Sequence, residues 1–135
     1  MKKKNILIIG LGSIGLRHAK ILSGFKNIKE LAIISKRRDI NIKKIKYIKS
    51  FKEFNPDYII ISSITSKHAV DLKLIEKHYK NKIVLIEKPL AEKKINFRLN
   101  RNKYYVGYNM RYHPVIQLIK NKIKKNKINA INILC

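Results

Sequence analysis

The stretch IIGLGSIGLRHAKIL, residues 8–22, constrains this 135-residue chain more than any other part of it. An apolar run ends at Gly10, two more glycines follow in the spacing Gly10-x-Gly12-x-x-Gly15, and an amphipathic pattern then takes over. Each glycine of such a loop has a separate physical job: a tight turn, a close approach of backbone to a phosphate group, and close packing of a helix on a strand. A helix that begins here turns its unpaired N–H groups and the positive end of its dipole towards whatever sits in front of the loop. Three of the five glycines in the chain lie in this one loop. It therefore predicts a pyrophosphate cradle with Ser13 and Ile14 at the helix start. The competing reading is a strand-to-helix turn that binds nothing.

The rest of the chain supplies the context such a loop needs. Apolar runs at residues 5–9, 31–35, 58–62 and 83–86 read as buried strands of a parallel sheet. Helical spacing of apolar residues covers 13–25 and 66–79. Between them lie a basic loop, a short strand near Tyr47 and Ile48, a short helix near residues 50–54, and a turn at Asn55-Pro56-Asp57. This alternation predicts an α/β fold, a doubly wound parallel sheet of the Rossmann type. Beyond Pro89 the pattern weakens. Residues 91–103 read as a polar link or an eroded helix, 104–106 as a strand, 113–125 as a helix and 127–135 as an alternating strand. The expected organisation is a dinucleotide-binding domain over residues 1–112, with 113–135 the start of a second, truncated α/β domain.

Composition removes other classes. A hydrophobic content of 45% argues for a folded core and against disorder. No apolar stretch approaches the ~20 residues needed to span a bilayer, so no membrane partner is expected. The start MKKKNILIIG is too short in its apolar part for a signal peptide and lacks a cleavage site, which makes a cytoplasmic location the default. A single cysteine, Cys135, excludes an internal disulfide and a cysteine-based metal site, and no metal is expected. The net charge of +24 invites a nucleic-acid reading. However, the abundant lysine, isoleucine and asparagine are all specified by A/T-rich codons. The lysines are also spread along the whole chain, with few aromatic residues among them to stack on bases. Weak, salt-dependent attraction to polyanions is expected, and no specific nucleic-acid function.

The choice of dinucleotide is read at the end of the second strand. A carboxylate there would bind a ribose 2′-hydroxyl, whereas basic residues suit a 2′-phosphate. The chain has Ser35-Lys36-Arg37-Arg38, and its first acid is Asp39. This favours NADP over NAD; the competing reading takes the run as one more sample of a lysine-rich surface.

With Glu87-Lys88-Pro89 in view, the chain resembles the glucose–fructose oxidoreductase and inositol dehydrogenase family, known as Gfo/Idh/MocA. GLGSIGLRHAKIL is similar to the family's nucleotide loop, ISSITSKHAV to the loop after its fourth strand, LIEKPLA to its EKP motif, and VGYNMRYHP to its closing strand and turn. The resemblance implies an NAD(P)-dependent oxidoreductase acting on a sugar, a polyol or a derivative. It implies that Lys88 is catalytic, lying near the nicotinamide and the substrate hydroxyl, with Glu87 orienting or balancing it. It implies that Ser63, Ile64, Thr65 and His68 contact the dinucleotide and that Asn109 and Arg111 lie beside the site. His68 reads equally as a plain helix-start residue, and Arg111 as a structural one. A lysine at the carboxyl end of a strand also has an independent warrant, because ligands of open α/β sheets bind there and burial can tune its proton affinity.

Family members are considerably longer, and their second domain holds the substrate and supplies a histidine and an aspartate that cannot be assigned here. The expectation is therefore a chain that binds dinucleotide but is catalytically incomplete alone, taking a sugar or polyol only when a second domain is supplied. Its terminal strand, at 127–135, should be disordered, pair with its own copy in a homo-oligomer, or aggregate. A non-enzymatic module that binds dinucleotide or pairs with another chain is the alternative.

Overall fold

The run KNILII forms the first strand, β1 (Lys4–Ile9), whose last four residues are all buried. Continuous apolar character of this kind suits a strand at the centre of a sheet that is covered on both faces. In the computed structural model, which describes residues 2–38, 42 and 45–125, β1 lies between β2 (Ile28–Ile34) and β4 (Tyr58–Ile61) and is parallel to both. With β3 (Ile45–Tyr47), β5 (Ile83–Ile86) and β6 (Lys103–Val106) they make a six-stranded sheet in the order β3-β2-β1-β4-β5-β6. Every neighbouring pair is parallel. The chain is an α/β protein with a Rossmann-like sheet, and the strand order reverses between β1 and β4.

Period-two alternation within the strands sorts their side chains into two cores. Leu7 and Ile9 of β1 join Ile59 and Ile61 of β4 in one cluster, closed by Leu72 and Ile75 of helix α2 (Thr65–His78). Ile6 and Ile8 point the other way and join Leu31, Ile33 and Ile60, closed by Leu11 and by Ala19 of helix α1 (Ser13–Ser23). A third helix, α3 (Pro114–Lys125), follows β6 after a short 3-10 turn at Asn109–Tyr112. No helix among the described residues is long and apolar enough to cross a membrane.

Most expected elements are present, with shifted ends. Strand β2 begins at Ile28, earlier than the apolar run suggests, because Lys4 N–H donates to the carbonyl of Asn27 and draws the preceding residues into line. The helix envisaged in residues 91–103 is absent. That segment is irregular, yet Ile95, Phe97 and Leu99 are half-buried against the α2-side core while Asn96, Arg98 and Asn100 are exposed. Apolar residues spaced by two cannot share one face of a helix but can share one face of an extended strap. Asp39 and the alternating stretch 127–135 lie outside the described residues.

Ser62 and the two outer loop glycines hold α1 against the sheet. A Cβ placed on Gly15 would lie 2.2 Å from the Gly10 carbonyl oxygen and 2.7 Å from Ser62 Oγ. Alanine is favoured over glycine inside a helix by about 1 kcal/mol, but overpacking of this kind costs about 1–3 kcal/mol or more. Gly15→Ala should therefore lower the thermal midpoint, as read by circular dichroism; an unchanged or raised midpoint would contradict this packing.

Candidate functional site

The carboxyl ends of the strands are pinned in register beyond the strands themselves. Gly10 N–H donates to Ile34 O, Ser62 N–H to Ile9 O, Glu87 N–H to Ile61 O and Gly107 N–H to Ile86 O, all at 2.8–2.9 Å. Each loop thus leaves the sheet from a fixed point. Above them, at the reversal of strand order, lies a cleft of about 1480 Å³.

The glycine loop forms one wall of it. Gly10 has φ +90°, a conformation side chains rarely adopt, and a Cβ there would meet Ser63 backbone atoms at 2.5 Å. Gly12 differs in kind. A Cβ on Gly12 would meet nothing within 4 Å, so its missing side chain leaves open space in the cleft. It is also the N-cap of α1 and offers no side chain to the helix's first N–H groups, and the first turn carries no acid. Ser13 and Ile14 line the cleft at this helix start, whereas Gly15 is buried beneath it.

The second wall follows β4. Ser63, Ile64 and Thr65 line the cleft, with Thr65 opening α2, another helix start without a side-chain cap. Ser63 Oγ donates to Asp71 Oδ2 at 2.5 Å, which commits the hydroxyl's proton and leaves its lone pairs for a ligand. Asp71 is buried, and that burial holds its carboxyl above the ordinary aspartate range despite the opposing Ser63 hydrogen bond and the nearby His68 and Lys67. His68 borders the cleft but is 1% exposed. Its Nδ1 is 2.9 Å from Pro89 O and its Nε2 3.0 Å from Ser63 O. Both ring nitrogens lie against carbonyl oxygens, and a neutral imidazole can donate to only one of the two.

The third wall is Glu87 and Lys88, with Asn109 beyond them. The resemblance has Glu87 orienting or balancing Lys88; its Oε1 lies 2.7 Å from His18 Nε2 on α1, so it does not balance the lysine as an ion-pair partner. Lys88 is exposed, and among the described residues no carboxylate pairs with it. Arg111 stays off the cleft, exposed, with its carbonyl accepting from the Gln117 side chain.

At the far end, past β2, Ser35, Lys36, Arg37 and Arg38 line the cleft. Arg37 N–H donates to Ser35 Oγ at 3.1 Å, closing a tight turn, and the Arg38 guanidinium sits 5.9 Å from the Tyr47 ring centroid. With Arg17, Lys49, Lys67 and Lys88, the described lining carries seven Lys or Arg side chains against two carboxylates, Asp71 and Glu87. Both of those are already hydrogen-bonded. The described lining thus carries more cationic than anionic side chains, a balance that suits an elongated anion.

Every residue singled out in the sequence except Gly15 and Arg111 is thus gathered around one cleft. The sequence reading missed His18, Arg17, Lys49, Lys67 and Asp71. His18 follows Gly15 by three positions and so shares its side of the helix, which was a usable signal; its partner is 69 residues away and was not.

No protein-family model and no curated protein sequence matches the chain. Solved structures do. Scyllo-inositol dehydrogenase from Lactobacillus casei with bound NAD(H) and scyllo-inositol superposes with a TM-score of 0.67 at 19% identity, over 96% of this chain and 43% of that one. Myo-inositol 2-dehydrogenase from Lactobacillus plantarum gives 0.67 at 21% identity, again over 96% and 43%. The WlbA dehydrogenase from Thermus thermophilus, in complex with NAD and UDP-GlcNAcA, gives 0.66 at 18% identity, over 95% and 48%. The fold is shared with these dehydrogenases. The chain spans less than half the length of each.

The buried Asp71 yields a signed expectation. Its folded-state proton affinity is raised above the unfolded value of about 3.8, so the stability it contributes is present below that pH and is lost as pH rises through the folded value. Asp71→Asn keeps an acceptor for Ser63 and removes the titration. Its melting midpoint relative to wild type should climb between pH 4 and pH 7; a flat or falling difference would contradict the assignment.

Proposed function

We propose that this chain is the dinucleotide-binding unit of an NAD(P)-dependent oxidoreductase of the Gfo/Idh/MocA type, acting on a sugar, polyol or derivative. The observation that carries the reading is Gly12. Gly10 and Gly15 have no room for a side chain within the fold, but Gly12 has room and no packing reason to be glycine. A backbone left bare at an uncapped helix start, in a cationic cleft at the reversal of strand order, fits a pyrophosphate. The resemblance of the EKP segment and the dehydrogenases sharing the fold support the same class.

On this reading Gly10, Gly12, Ser13 and Ile14 hold the pyrophosphate, and Ser63, Ile64 and Thr65 border the nicotinamide half. The bound dinucleotide would supply the hydride acceptor or donor. Lys88 is the catalytic residue: its amine faces the cleft without a carboxylate partner and can polarise a substrate oxygen or pass its proton. Asn109 lies on the substrate side. Enclosure of the sugar or polyol is assigned to a further domain following residue 112. The unit works in the cytoplasm on this proposal.

NADP is proposed over NAD, because Lys36 and Arg37 at the end of β2 present positive charge where the adenosine ribose would lie. Two of the structural neighbours were solved with NAD(H) or NAD, so the preference for NADP rests on these side chains alone. A charge-assisted contact of this type contributes about 1.5–3 kcal/mol, or at least tenfold in affinity.

Isothermal titration with NADPH and NADH checks both points. Gly12→Val should keep the wild-type melting curve and lose dinucleotide binding; retained binding in a folded variant overturns the pyrophosphate assignment. Wild type should bind NADPH at least about tenfold tighter than NADH, with Arg37→Ala narrowing the gap. A wild-type preference for NADH would sink the NADP assignment.

A further inference from the structure

Resting on that reading of Lys88, we propose that His18 and His68 are positioning residues, a two-sided clasp that fixes where Lys88 stands relative to the nicotinamide. The residues on either side of Lys88 are each tied to a different helix. Before it, Glu87 Oε1 takes His18 Nε2 at 2.7 Å, with both side chains only about a quarter exposed (26% and 23%). After it, Pro89 O faces His68 Nδ1 at 2.9 Å. The Glu87 backbone N–H is bound to Ile61 O as well. Lys88 alone in this tripeptide is left to the cleft.

The clasp has two chemical consequences. Turning Glu87 onto His18 removes the carboxylate nearest to Lys88 in sequence, so its ammonium is not neutralised by its own neighbour. A neutral histidine protonated on Nε2 and an imidazolium both donate to Glu87, so this tie survives either state of His18. The second consequence is mechanical. His18 stands on the helix that begins at the glycine loop, and His68 on the helix that begins at the Ser63–Thr65 wall. His68 Nε2 also faces Ser63 O, so one buried ring packs between that wall and the Lys88 turn and donates to one of the two carbonyls in its neutral form. The two walls that would grip the dinucleotide are thereby the supports of the lysine. His68 is buried, so its removal could unfold the chain; His18 is the side to test.

The test compares NADPH with its fragment 2′-phospho-ADP-ribose, which lacks only the nicotinamide, by titration against the wild-type chain and folded variants. His18→Ala should weaken NADPH by about tenfold, the scale of one lost charge-assisted hydrogen bond, while the fragment stays within about twofold. His18→Gln, whose amide can still donate to Glu87, should recover most of the loss. In a Lys88→Ala background the same His18→Ala change should have little further effect, because the clasp acts through the lysine. Equal weakening of NADPH and fragment, additive effects of the two alanine substitutions, or no loss at all in His18→Ala would each overturn the clasp. Wild type failing to bind NADPH would instead overturn the dinucleotide reading, and the clasp with it. Lys88→Ala binding NADPH as wild type does would remove Lys88 from the nicotinamide, a separate failure.

Discussion

The approach of two loop backbones at the reversal of strand order governs the rest of this molecule. Where β1 and β4 end, Gly10 comes so close to Ser63 that no side chain fits between them, and Ser62 Oγ bridges to the carbonyls of Ile9 and Gly10 at 3.3 and 2.9 Å. The same Ser62 oxygen lies where a Cβ on Gly15 would go, so helix α1 can seat itself against the sheet only because that Cβ is missing. One small knot of four residues therefore sets the exit angle of the first loop, the start of the first helix and the gap in front of it. The open space at Gly12 is the product of that packing. It exists because its neighbours are tight.

The functional groups inherit their precision from the same edge of the sheet. The backbone bonds that continue past β1, β4, β5 and β6 fix the first residue of each loop, not merely the strand. Side-chain ties then join loop to helix: Ser63 to Asp71, His68 to both Ser63 and Pro89, His18 to Glu87. Except for Pro89, each of these residues is buried or half-buried, where a hydrogen bond is stronger and an unmade one is costly. The two carboxylates of the described lining, Asp71 and Glu87, are thereby spent on structure. A cleft assembled this way presents net positive charge without depending on the chain's overall excess.

The sequence made the architecture legible because its strands are long apolar runs and its loop glycines have a defined spacing. β1, β4 and β5 could be read almost to the residue, and the gathering of Ser35, Ser63, Lys88 and Asn109 at one end of the sheet followed from their places after strands. What could not be read were pairings between distant residues. Glu87 looked like a companion for the adjacent Lys88, yet a histidine on the first helix took it instead. His68 sits at a helix start, where exposure is usual, and only the folded loops bring two carbonyls onto its ring. The strap at 95–99 was obscured by its polar content, although its alternation by two was present in the letters.

The charge of the whole chain and the charge of the cleft act by different physics. A net charge of +24 spread over the surface acts through solvent, and at physiological salt its reach falls off over about 8 Å. Such a field raises the local concentration of any polyanion and selects none of them. Selection requires groups whose positions are fixed before the ligand arrives. Here those are the bare backbone at Gly12, the uncapped start of α1, and the turn at Ser35–Arg37 closed by its own hydrogen bond. They would serve equally in a chain of ordinary charge. On the proposed reading, lysine abundance would strengthen the approach of an anionic cofactor, whereas geometry at the end of β1 would decide which anion stays.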